Sequence, residues 1–70
     1  MIYEFDATNH KAKSMTRNTV TVSLKDRGDA VIARNKLVEL GFECTPIFEE
    51  VYDAFDTANE AVEWTKRLLR

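Results

Sequence analysis

A chain of 70 residues, 44% hydrophobic and 31% charged with a net charge of -2, is long enough for one small domain and too apolar to be disordered. One cysteine, Cys44, and one histidine, His10, exclude a disulfide framework and a Cys/His metal centre, and an acidic pI near 5.3 disfavours phosphate contacts. With neither device to reinforce a small core, self-association is the remaining route to extra stability, and a homodimer is expected.

Residues 2–6 read as a short strand. Their acidic side chains stand where a secretory signal needs basic and then apolar residues, and no apolar run reaches membrane-spanning length, so a cytoplasmic protein with no membrane partner is expected. The unpaired cysteine fits a reducing compartment and reads as a small buried hydrophobe. Residues 9–18, with His10, Lys11, Lys13 and Arg17, form a polar, basic loop. Residues 19–24 then alternate strictly between hydroxyl and apolar side chains, the pattern of a strand with one buried face.

Asp26 is placed to cap a helix whose third position is Asp29 and whose inner side carries Ala30, Ala33, Leu37 and Leu40. Gly41 ends that helix through a left-handed cap, with Phe42 folding back on the last turn. Ile32 points away from the inner side, either as an isolated exposed apolar residue or as part of a contact surface. A second helix opens with the capping box Thr57/Glu60 and runs an apolar stripe through Ala58, Ala61, Val62, Thr65, Leu68 and Leu69.

Between the helices, Phe48, Val51, Tyr52 and Phe55 fit helical spacing, and Thr45-Pro46 could open a helix. An internal match favours strands instead. Residues 19–39 and 50–70 align without a gap, pairing Leu24 with Phe55, Asp26 with Thr57, Asp29 with Glu60, and Ala30-Val31 with Ala61-Val62. On that register residues 51–55 form a strand, residues 43–47 another, and residues 48–50 the turn between them. The order becomes ββαββα. The expected fold class is α+β, a two-layer sandwich with two helices on one face of a small antiparallel sheet, ferredoxin-like with permuted strand order.

Residues 19–27 (TVTVSLKDR), Ala30, Lys36-Leu37 and Gly41-Phe42, followed by Tyr52-Asp53-Ala54-Phe55-Asp56-Thr57, Glu60-Ala61 and Leu68, resemble the SPOR domain, a peptidoglycan-binding module of two strand-helix repeats. The resemblance spans residues 19–69 and implies glycan binding. Fold alone does not fix function.

No glycine-rich phosphate loop, catalytic constellation or metal-ligand spacing is present, so neither an enzyme nor a cofactor is expected. Charge patterning says more. From Leu37 to Thr65 there is no Lys or Arg, while Glu39, Glu43, Glu49, Glu50, Asp53, Asp56, Glu60 and Glu63 all lie there. A solvated surface accounts for such a run, and so does a surface that steers toward a basic protein partner. The expected function is a non-enzymatic protein-binding or regulatory module, with Glu43, Glu49, Glu50, Asp53 and Asp56 facing a basic partner. Thr21, Ser23 and Tyr52 on the uncovered sheet face are the expected homodimer contacts. Mimicry of nucleic-acid phosphates by a small regulator, of the kind viruses encode, is the alternative. Direct nucleic-acid binding through Tyr3, Phe5 and Tyr52 is disfavoured by the charge.

Overall fold

The computed structural model describes residues 1–13, 18–50 and 54–69. Strands β1 (Ile2–Thr8) and β2 (Thr19–Leu24) precede helix α1 (Arg27–Glu39); strands β3 (Glu43–Cys44) and β4 (Phe48–Glu50) precede helix α2 (Ala58–Leu68). The fold is α+β: a small antiparallel sheet of four strands with two helices.

Alternation in β1 and β2 decides which side chains meet the helices. Tyr3, Phe5 and Ala7 stand opposite Leu24, Val22 and Val20 across the antiparallel ladder, and residues directly opposite share a face. These pack with Ala30, Ala33 and Leu37 of α1, and with Ala58, Ala61 and Val62 of α2 and the adjoining Leu69. Both helices therefore cover one side of the sheet. Thr65, buried in the same layer, donates its hydroxyl to the Ala61 carbonyl one turn earlier at 2.7 Å, so no polar atom is stranded.

Each helix starts and stops on local chemistry. Asp26 and Thr57 both have extended backbones, and their side-chain oxygens accept from the Asp29 and Glu60 N–H groups at 3.1 and 3.3 Å. At the end of α1, Gly41 adopts φ 95° while its N–H donates to the Val38 carbonyl and that of Phe42 to the Leu37 carbonyl. This pair of bonds is the Schellman arrangement. Leu40, expected inside, is exposed: as the C-cap it lies past the inner stripe, and Phe42 packs against the core.

Strand order departs from the permuted ferredoxin-like arrangement. That arrangement pairs residues 43–47 with residues 51–55, whereas β3 and β4 both lie along β1, which holds β2 on its other edge. Ala7 and Thr8 take Cys44 and Glu43, and Ile2, Tyr3 and Glu4 take Glu50, Glu49 and Phe48. Residues 48–50, expected as a turn, are strand. The two short strands are one run of chain interrupted at Thr45 to Ile47, where Pro46 has no N–H to give to the ladder.

Of the expected strand 51–55, residues 51–53 lie outside the described residues. Phe55 forms a parallel bridge with Leu24: its N–H donates to the Ser23 carbonyl at 2.8 Å, and the Lys25 N–H donates to its carbonyl at 3.1 Å. The two residues matched by the internal repeat are thus side by side.

Candidate functional site

On the side of the sheet away from the helices, β1 presents Ile2, Glu4, Asp6 and Thr8, and β2 presents Thr19, Thr21 and Ser23. The register makes three polar pairs across the ladder. Ser23 Oγ donates to Glu4 Oε2 at 2.9 Å, Thr21 Oγ1 donates to Asp6 Oδ1 at 2.7 Å, and the hydroxyls of Thr8 and Thr19 share a bond of 2.8 Å. Thr21 and Ser23, expected as free contacts, are thus holding carboxylates. Glu4 is only 4% exposed, a depth at which carboxylates are seldom found without partners.

β3 extends this face. Glu43, opposite Thr8, accepts through Oε2 from His10 Nε2 at 2.7 Å, tying the polar loop to the strand. Phe48 stands beside Glu4 on β4 and is exposed. Glu49, opposite Tyr3, belongs to the helix side and is exposed; Glu50 stands opposite Ile2 at the end of the ladder. Asp56 is elsewhere, paired with Lys25 at 3.0 Å near the bridge at Phe55. Asp53 and Tyr52 lie outside the described residues.

The expected acidic set is therefore split between the two edges of the sheet. Glu43, Glu49 and Glu50 follow β1 on one side, and Asp56 lies beyond β2 on the other. Glu4 and Asp6 are the acids that sequence reading left out. The alternation Tyr3-Glu4-Phe5-Asp6-Ala7 could have found them, because it puts both carboxylates on the face opposite the aromatic residues.

Taken together, the four strands contain Glu4, Asp6, Glu43, Glu49 and Glu50 and no Lys or Arg. Basic residues sit outside the strands, as Arg27, Arg34 and Lys36 of α1, Lys66 and Arg67 of α2, and Lys11, Lys13 and Lys25 of the connecting segments. The sheet layer is acidic and the helical layer mixed.

Cys44 stands opposite Ala7, half-buried. Burial pushes its thiol above the ordinary range, and the Arg34 guanidinium nearby offsets part of that rise. The neutral thiol dominates, which suits packing and not nucleophilic attack. Among the described residues no group of three His, Cys, Asp or Glu is arranged to hold a metal ion, and no helix is long and apolar enough to cross a membrane.

Comparison of the chain with family models, with curated proteins and with solved structures finds no match in any of the three.

Proposed function

We propose that the chain is a binding module whose acidic sheet layer receives a protein with a basic surface. The supporting observation is the distribution of charge: the strands hold five Asp and Glu residues and no Lys or Arg, while the Lys and Arg of α1 and α2 belong to the other layer. An interface of one sign steers encounter with its opposite and repels its like, so charge here contributes mostly to association rate and selectivity. Glu43 and Glu49, both exposed and both in the run of chain along one edge of the sheet, carry the contact at that edge; Thr21 and Ser23 are hydrogen-bonded to Asp6 and Glu4.

The test is affinity capture from host lysate, quantified by mass spectrometry, for the unaltered chain, for Glu43→Lys/Glu49→Lys, and for Arg67→Glu as a control on the helical layer. Specific partners should be lost from the double variant, retained by the control, and released as salt rises. Retention of the same partners by the double variant would sink the proposal.

A second reading is favoured by the sign of the strands, which carry Asp and Glu and no Lys or Arg. Exposed carboxylates on such a layer can stand in for phosphates. Mimicry of this kind predicts that captured partners bind nucleic acid and that an oligonucleotide competes with the chain for them.

A further inference from the structure

Helix α1 is apolar on two sides. Its inner side, Ala30, Ala33 and Leu37, is completely buried, yet Val31, Ile32 and Val38 remain 36%, 48% and 48% exposed. At about 100° per residue, Gly28, Val31, Ile32, Asn35, Val38 and Glu39 fall on one outward stripe roughly 120° wide. All six are exposed. Their steps of three and four residues are the spacing at which two helices pack along their lengths.

The internal repeat shows how unusual this is. Val31 and Val38 correspond to Val62 and Leu69 at the second unit, and there they are 6% and 0% exposed. In the second unit those positions serve the core; α1, rolled about its axis, turns them outward. The stripe also continues onto Pro46 and Ile47, which with Arg27, Val31, Arg34 and Asn35 line a groove beside the helix. Apolar side chains scattered singly need no explanation, whereas a continuous stripe marks a contact surface.

Charge at the two ends of the stripe selects the occupant. Arg27 stands at the N-terminal end and Glu39 at the C-terminal end. The other cations of α1 are turned aside: Arg34 donates to the Cys44 and Thr45 carbonyls, and Lys36 to Asn59 of α2. A second α1 laid antiparallel brings each Arg27 within reach of the other copy's Glu39, opposes the helix dipoles, and sets the two-fold axis level with residue 33, so that Ile32 lies nearest its own counterpart and Asn35 faces Val31. A parallel helix would set Arg27 against Arg27. The stripe is thus complementary to itself in the antiparallel direction, which a two-fold axis perpendicular to the helix generates.

We propose that the chain forms an isologous homodimer by antiparallel packing of α1 on the α1 of a second copy, through Val31, Ile32, Asn35 and Val38 and the Arg27–Glu39 pairs at the ends. This leaves the sheet layer free in both copies, so the dimer and the acidic contact fail or stand separately. Sedimentation of the full chain from micromolar to submillimolar concentration should show twice the 8.1 kDa chain mass. Ile32→Glu/Val38→Glu should give a monomer with an unchanged circular dichroism spectrum. Arg27→Glu and Glu39→Arg should each raise the dissociation constant about tenfold, and the two together should restore it to within about threefold. A chain that stays monomeric throughout, a dimer indifferent to the Ile32/Val38 change, or charge reversals without rescue would each overturn the proposal; a foreign occupant of the stripe would show itself by the first of these.

Discussion

At the scale of single residues, Thr45 and Arg34 explain how a sheet accepts an interruption without losing a strand. Thr45 Oγ1 accepts the Asp6 N–H at 2.8 Å in the place of a backbone carbonyl, while the Thr45 N–H donates to the Asp6 carbonyl at 2.9 Å. The Thr45 carbonyl is thereby released, and Arg34 Nε donates to it at 2.7 Å as Nη2 donates to the Cys44 carbonyl at 3.1 Å. One planar fork holds two neighbouring carbonyls, a geometry that an ammonium cannot reproduce. Arg34→Lys is therefore expected to lower stability by about 1 kcal/mol and Arg34→Ala by about 2 kcal/mol, read from urea denaturation, with the loss concentrated in exchange protection at β3. Equal stability in the three chains would refute this role. Thr45-Pro46 was visible in the sequence only as a helix opener, because the substitution of a hydroxyl for a carbonyl depends on Asp6, far away along the chain.

At the scale of elements, what was legible in the sequence was what is decided locally. The strand at residues 19–24 and both caps, Asp26 and Thr57, follow from alternation and from side-chain oxygens beside free N–H groups. The two caps are equivalent in geometry as well as in repeat position, so Asp26→Ala and Thr57→Ala should each cost about 1 kcal/mol, and the double change about 2 kcal/mol since the sites share no partner. Thermal melts check both the size and the additivity. Residues 43–50 were harder, because their partner is β1 and no local signal names it; the apolar spacing of Phe48 suited helix and strand alike. The outward stripe of α1 was half visible: Ile32 showed on the wheel, but the exposure of Val31 and Val38 follows from the roll of the helix on the sheet. Phe55 and Trp64, with ring centroids 5.2 Å apart and planes tilted by 54°, fix that second junction where α2 meets the bridge beside β2.

At the scale of the whole molecule, class was readable and strand order was not. Two strand-to-helix junctions and an amphipathic second helix suffice for an α+β layer structure, whereas the choice of neighbour for each strand is made by contacts between distant parts of the chain. The core they share is small. Phe5 lies at its centre, completely buried between β2 and the helices, and Phe5→Ala should cost about 3–5 kcal/mol, against a total of about 5 kcal/mol expected for a domain of this size. Circular dichroism at room temperature should show that variant largely unfolded; a cooperative melt close to that of the unaltered chain would contradict the central place given to β1. Of the candidate site, the acidic character of residues 43–56 was legible and the separation of Asp56 from Glu43, Glu49 and Glu50 on two edges was not, since charge counts carry no information about which edge a strand joins.

Among the described residues, every lateral pairing of the sheet apart from the bridge at Phe55 runs through β1. Its hairpin with β2 can close as soon as residue 24 has left the ribosome, but the opposite edge waits for chain that is synthesised only after α1. During that interval the nascent polypeptide carries a naked, bonding-competent margin, the kind on which strangers polymerise and proteases feed. Translation that stalls within α1 would thus be more hazardous to this protein than a pause anywhere later.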